Sequence, residues 1–304
     1  MIKESVIIFL FLFQCTALYS AGTTTANFLR IGVGARASAM AESYVAVADD
    51  VFSIYWNPAG LNKLKMQELG VSYNVWIEDI SHKSVYYAYP KTAYGSFGAG
   101  ITNLDMADIQ GYSDILPDDP QHVTQVFSVG DSVKYFSYAQ SLNAYTNIGV
   151  NFKYITQKLE NYTANAVAFD FGLLINLFDK NVKIGFVMMN KGDKLKFKHE
   201  EGQLPEDIKF GFAKQYWNKK LIVSGDIVQP ADRDTELRVG LEYYLLKLLF
   251  IRGGYRTGMS VGTGLSLGLG FTGDTVQLDY AILNYGMLGN VHQVSLIMRF
   301  EKNE

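Results

Sequence analysis

Gly32, Gly34 and Ala37 stand in GxGxxA spacing within RIGVGARASAMAESYVAVADD, a spacing that can cradle a dinucleotide pyrophosphate at a helix N-terminus. That chemistry needs a buried strand ahead of the glycines, a βαβ unit around them and an acid closing the second strand. Here the pattern runs on to Trp56-Asn57-Pro58 instead, so its small residues read as close packing in a confined space. Other reactive constellations fail in the same way. His82, His122, His199 and His292 are isolated from one another, with no HExxH and no zinc spacing. His82, His122 and His199 fall in expected outer loops, where they would be solvated. No serine sits in a GxSxG elbow. Gly262, Gly264, Gly268 and Gly270 lack the Lys-Ser/Thr of a phosphate loop and read as lumen-facing space. The expectation is a chain with no catalytic residues, no metal and no cofactor, and therefore not an enzyme.

Two sets of residues remain. The first is DDVFSIYWNPAGL, Asp49 to Leu61, from which Asp49, Asp50, Tyr55, Trp56, Asn57, Pro58, Ala59 and Gly60 are singled out as a plug or gate. Asp49 and Asp50 would cap or end the alanine-rich stretch before them, and Asn57-Pro58-Ala59-Gly60 is a turn that hands the chain to the first strand. The second set is the charge set into alternating segments: Asp170, Asp226, Glu236, Arg238, Glu242, Arg252, Arg256, Asp279 and Arg299.

These residues must be carried by strands, because after Lys65 the hydrophobic period is two and stays two. Leu237, Val239, Leu241, Tyr243 and Leu245 oppose Glu236, Arg238, Gly240, Glu242 and Tyr244; Ile148, Val150, Phe152 and Tyr154 oppose Asn147, Gly149, Asn151 and Lys153. About fourteen such segments follow one another, near 68–77, 83–91, 94–104, 130–141, 146–158, 164–177, 182–190, 208–216, 220–229, 235–246, 249–257, 262–272, 275–284 and 291–300. Most have the length with which a tilted strand crosses a bilayer, and an even number suits a closed bacterial barrel. Connections near 92–93, 142–145, 178–181, 217–219, 247–248 and 273–274 are brief. Those near 78–82, 105–129, 158–163, 191–207, 230–234, 258–261 and 285–290 are longer on average, as the two rims of a membrane barrel require. That parity puts the N-terminal segment and the C-terminus on the periplasmic side, and Ser113 to Gln125 and Gly192 to Gln203 outside. The fold class is thus all-β: a transmembrane antiparallel barrel of about 14 strands, with an N-terminal hatch or plug in its lumen.

Solvent decides which face points where. A Lys or Arg facing lipid at mid-depth costs about 2–4 kcal/mol, so the nine charged residues must face the lumen, where they can pair with one another or with the plug. Tyr73, Tyr87, Tyr89, Tyr154, Tyr243 and Tyr255, near strand ends, would form an interfacial girdle. Trp76 and Ile155 break the polar inward face and are candidates for lining an apolar pocket.

The N-terminus reads as an export signal: Lys3, then the apolar run Val6 to Phe13, then Ser20, Ala21 and Gly22. Cys15 falls inside it, leaving the mature chain without cysteine. The resulting division is 1–22 signal peptide, 23–67 plug and 68–304 barrel. Twenty tyrosines and 19 phenylalanines suit strands. A net charge of −3 gives a nucleic-acid partner no electrostatic support.

The stretch GARASAMAESYVAVADDVFSIYWNPAGL, Gly34 to Leu61, together with the export signal and the strand pattern, resembles the PorV/PorQ group of outer-membrane proteins within the FadL-like superfamily. The resemblance implies a fourteen-stranded barrel with an N-terminal hatch that contains the Asn57-Pro58-Ala59 turn. FadL-like members import hydrophobic small molecules such as long-chain fatty acids. PorV-like members serve type IX secretion and bind exported proteins. The first expectation is therefore gated uptake of a hydrophobic solute through the outer membrane. The alternative is a secretion component whose secreted cargo meets Asp114, Asp118 and Asp119 in the outer loop near 105–129 and Lys191, Lys194, Lys196 and Lys198 in that near 191–207. In both, the partner common to the readings is the lipid bilayer.

Overall fold

The computed structural model describes residues 24–75, 80–92, 94–112, 123–160, 162–177, 181–197, 200–246 and 248–300. The export signal, Trp76, His122, His199, Lys198 and the acidic loop of Asp114, Asp118 and Asp119 lie outside them. Strands β1 (Gln67–Val75), β2 (Ser81–Thr92), β3 (Gly95–Tyr112), β4 (Val123–Ser141), β5 (Thr146–Leu159), β6 (Tyr162–Leu177) and β7 (Val182–Gly192) form the first half of a wall. A small hairpin, β8 (Leu195–Phe197) and β9 (Glu200–Gly202), interrupts it. The second half is β10 (Asp207–Tyr216), β11 (Leu221–Pro230), β12 (Glu236–Leu245), β13 (Leu249–Arg256), β14 (Leu265–Thr272), β15 (Val276–Asn284) and β16 (Asn290–Phe300). Each barrel strand pairs antiparallel with its neighbours, and β16 returns to pair with β1 from Gln67↔Phe300 to Val75↔His292. The fourteen strands therefore close, which leaves no unpaired edge.

Alternation sets the two faces. On β12, Leu237, Val239 and Leu241 point outward and are about half exposed, whereas Glu236, Arg238 and Glu242 are buried inside. Directly opposed residues share a face, so the register brings Arg238 beside Asp226 of β11 and Arg256 of β13, and Glu242 beside Arg252. The outward face carries Tyr73, Tyr87, Tyr154, Tyr243 and Tyr255, all exposed, and all nine expected charged positions lie on the inner face. Among the described residues no helix is long and apolar enough to cross a membrane; the apolar exterior belongs to the strands.

Three features depart from the expected pattern. β3 and β4 run to 18 and 19 residues, pairing out to Tyr112↔Val123 rather than ending near 104 and 130. Backbone hydrogen bonds can continue past the apolar band, where no lipid demands alternation, so the sequence period gives no notice of them. β8 and β9 likewise lie in what reads as an outer loop. His82 is in β2, not in a loop: it is buried opposite Asn74, and its Nε2 has no hydrogen-bond partner.

Candidate functional site

The chain from Thr24 to Leu64 packs against inward-facing residues right round the wall. It starts at the long-loop rim. Thr24 forms a parallel bridge to Gln203, Thr25 N donates to Gln203 O (2.9 Å), and Thr24 Oγ1 donates to Asp232 (2.6 Å). It leaves by the short-turn rim, where Asn62 Nδ2 donates to Asn147 Oδ1 (2.9 Å). The segment thus runs from one rim to the other, which takes the whole depth of the wall.

Between the rims the segment is held by wall side chains aimed at its backbone. The helix of the alanine-rich stretch is only Ala35–Ala39, and Ala35 N donates to Ser295 Oγ (3.0 Å). The chain then reverses through Ala41 and Glu42, both at positive φ (51° and 63°), with Ala41 N held by Ser266 Oγ (2.9 Å). Non-glycine residues keep this conformation only where surroundings impose it. Asp226 Oδ2 accepts from Tyr44 N (2.8 Å) and Val45 N (3.0 Å), and Asn151 Nδ2 donates to Ile54 O (2.7 Å).

The Asn-Pro-Ala-Gly turn is built by side-chain capping. Asn57 Oδ1 accepts from Ala59 N (3.2 Å) at the start of the 3-10 turn Pro58–Lys63, with Pro58 in the position where its missing N–H costs nothing. Asn57 Nδ2 donates to Val45 O (2.9 Å) and to Leu173 O of β6 (3.1 Å). The wall makes room with glycine: a Cβ at Gly149 would collide with the backbone of Pro58 and Ala59, and one at Gly172 with Asn57 Oδ1. Ahead of the turn, Asp50 Oδ1 accepts from Phe52 N (3.0 Å), so Asp50 orders the start of the short helix Ser53–Trp56 instead of ending the alanine-rich stretch. Trp56 Nε1 donates to Val33 O (2.8 Å) and Tyr55 Oη to Leu29 O (3.0 Å). Both rings are buried.

A chain of ions runs through the short-turn half. Arg36 donates to Asp49 (2.8 Å) and Asp50 (3.2 Å) through Nη1, and to Glu242 through Nε (2.7 Å) and Nη2 (2.9 Å). Lys183 reaches Asp49 from β7 (3.3 Å). Glu242 is shared with Arg252 (2.6 Å), which holds Asp279 (2.7 Å); Gln277 donates to Asp279 and accepts from Arg299, and Arg299 pairs with Glu68 (3.0 Å). Glu68 in turn accepts from Val51 N (2.8 Å), which returns the chain of contacts to the segment. A separate buried set on β5–β7 joins Lys153 and Asp170 (2.8 Å), neither of them exposed, with Asn190 Oδ1 accepting from Lys153 (2.7 Å). Burial opposes charge on Asp49, but Arg36 and Lys183 outweigh it and hold that carboxyl well below the usual range. At Asp50 burial wins over Arg36, and the adjacent Asp49 adds to the rise.

A cavity of about 630 Å³ lies at the long-loop rim. Its lining includes Arg30, Lys209, Arg233, Arg238 and Arg256 against Glu42, Asp207, Asp232 and Glu236, with Ile31, Met259, Val261 and Leu288 beside them. Arg30 pairs with Asp232 (2.7 Å) and Asp207 (3.1 Å), while Arg238 pairs with Glu236 (2.7 Å) and Glu42 (2.8 Å). Arg256 also reaches Glu42 (3.1 Å) and donates to Tyr285 Oη (2.8 Å). Burial acts against the charge of Glu42, yet Arg256 and Arg238 draw its carboxyl below its ordinary value.

The structure therefore brings the sequence-derived residues into three groups. Asp49, Asp50, Glu242, Arg252, Asp279 and Arg299 join the short-turn network, Glu236, Arg238 and Arg256 line the rim cavity, and Asp170 pairs with Lys153 while also accepting from Asn151 Nδ2 and Asn190 N; Asp226, apart from these, holds backbone of the segment. Sequence reasoning passed over Arg30, Arg36, Glu42, Glu68, Asp207 and Lys209. Lys153, Glu68 and Lys209 stand at inward strand positions and could have been found by parity alone. Ile155 is inward and buried. Gly268 does face the segment, at Ala39, but Gly262 and Gly264 sit in the loop after β13 at φ 99° and 73° and do not clear the lumen. Among the described residues no group of histidine, cysteine and acidic side chains is placed to hold a metal.

The family model of the type IX secretion system protein PorV matches residues 16–220. No curated protein matches. Among solved structures, a Pseudomonas aeruginosa FadL homologue is similar at 12% identity, covering 92% of this chain and 100% of its own, with a TM-score of 0.61. The P. putida toluene transporter TodX is similar at 13% identity over 87% of this chain and 99% of its own, with a TM-score of 0.62. At such identities the likeness is one of fold.

Proposed function

This chain belongs to the PorV family of type IX secretion system proteins, and on that premise we propose that it is an outer-membrane barrel whose long-loop rim receives an exported protein. The observation that supports the reading is the set of contacts between Thr24–Leu64 and the wall. Thr24–Leu64 is tied to strands on several sides of the wall through hydrogen bonds and ion pairs, and nine charged residues line the space at the long-loop rim. A hydrophobic solute would have to cross the short-turn ion network, whereas a protein need only meet the rim. In this reading the segment is a hatch that keeps the barrel closed, with Asn57 to Gly60 as its anchor.

Cells lacking the protein should lose surface retention of exported proteins and regain it on complementation, and tagged protein should retain such cargo in pull-down. Normal retention in the deletion strain would overturn the reading. A second reading, uptake of hydrophobic small molecules such as long-chain fatty acids with the hatch as gate, draws support from the architecture shared with the FadL homologue and TodX. Proteoliposomes that import labelled fatty acid faster than empty vesicles would favour it.

A further inference from the structure

Lys209 is 4% exposed on the inner face of β10, and its ammonium group lines the rim cavity. It is the cation there that the surrounding acids serve least. Arg30 engages Asp207 and Asp232 at 3.1 and 2.7 Å, and Arg238 takes Glu236 at 2.7 Å. Glu42 offers the single oxygen Oε2 to Arg238 and Arg256 at 2.8 and 3.1 Å. What is left to Lys209 Nζ is Asp207 Oδ2 at 4.0 Å, beyond hydrogen-bond reach, and the face of Trp56, 5.4 Å from the ring centre. An ammonium carries three donors, and burying it without acceptors is costly. Arg233, 43% exposed, is also held loosely, at 3.6 Å from Glu236 and 3.9 Å from Asp232.

We propose that the rim cavity is a binding site for a ligand bearing one carboxylate, which accepts hydrogen bonds from Lys209 Nζ and is approached from the rim by Arg233. Five cations face four anions across this space, so the excess is a single positive charge. A carboxylate matches it, whereas a phosphate dianion would overshoot it among four acids. The cavity volume of about 630 Å³ far exceeds one carboxylate. The rest of the ligand would lie among a lining in which Ile31, Met259 and Val261 are mixed with polar groups, which suits a peptide end better than a long alkyl chain. Both sources share the carboxylate, and the experiment tells them apart.

Purified barrel in detergent is titrated calorimetrically with a neutral apolar pentapeptide as its free acid and as its C-terminal amide, and with hexanoate against hexanamide. Lys209→Met is compared with Lys220→Met, an exposed lysine at the short-turn rim. K209M retains the Arg30–Asp207 pair, and heat-modifiable migration checks its folding. The expected result is that an acid binds about tenfold or more tightly than its amide, a preference lost in K209M and kept in K220M. Preference for the peptide acid identifies a chain end as the source, and preference for hexanoate alone identifies a small free acid. Equal affinities for acid and amide, or a preference that survives in K209M, would overturn the site. Cargo retention is scored on the same variants: retention without acid preference removes the site and leaves the docking role standing, and the converse removes the docking role only.

Discussion

Arg36→Met tests whether the N-terminal segment is locked to the wall by charge. Removing one partner of a buried ion pair costs about 3–5 kcal/mol, because the other charge is left without compensation. Here each acid keeps something. Glu242 retains Arg252 at 2.6 Å, Asp49 retains Lys183 at 3.3 Å, and Asp50 retains Tyr44 Oη at 2.6 Å and Phe52 N at 3.0 Å. The loss should therefore fall near the lower end, about 3 kcal/mol, which raises the ratio of displaced to seated segment by roughly two powers of ten. The wall does not depend on Arg36, so the barrel should still assemble and migrate as a folded band. Single-channel recording in planar bilayers should then show openings that wild type lacks, and protease should cut the segment more readily. Combined with Glu242→Gln, the two losses should fail to add, as expected of directly paired residues. A folded R36M barrel with wild-type conductance and an unchanged cleavage pattern would refute the idea that charge holds the segment in place.

Acid should weaken the same seat. Asp49 and Glu42 have carboxyls held below their ordinary values of 3.8 and 4.5, so their contribution is fully present above those values and is lost as the pH falls through the depressed ones. Asp50, raised by burial, acts in the opposite sense. Conductance should stay flat from neutral pH to about 5 and rise below about 4; a rise between pH 7 and 5 would point to other groups. Gly149→Val should displace the Pro58-Ala59 backbone and open the pore. Gly253→Ala, whose new methyl would sit 3.5 Å from Leu267 Cδ2, should leave conductance unchanged; similar behaviour of the two would remove the argument for close approach at Gly149. Lys153→Met leaves Asp170 inside the wall with only Asn151 Nδ2 and Asn190 N as donors, both at 2.8 Å, and should lower barrel stability by about 3 kcal/mol in urea titration, with Asp170→Asn recovering part of it. No loss in K153M would mean that the pair is not buried as described.

The barrel was legible because lipid imposes a rule on every strand. Leu237, Val239, Leu241 and Tyr243 must face outward, so Arg238 and Glu242 between them must face inward, and the period alone says so. Where lipid ends the rule ends, which is why the outer lengths of β3 and β4 and the place of His82 were not readable. Partnership is a different kind of fact. Arg36 and Glu242 are 206 positions apart, and Asn57 donates to Leu173 across 116; no local pattern joins them. The small residues of the segment and the glycines of the wall were each visible, but not that Gly149 and Gly172 stand where the Asn-Pro-Ala turn arrives. The same limit hid Lys209. By parity it is one more inward charge, indistinguishable from Lys153, which has Asp170 at 2.8 Å. Lys209 becomes a candidate for ligand binding only once the distances show its neighbouring acids committed to arginines.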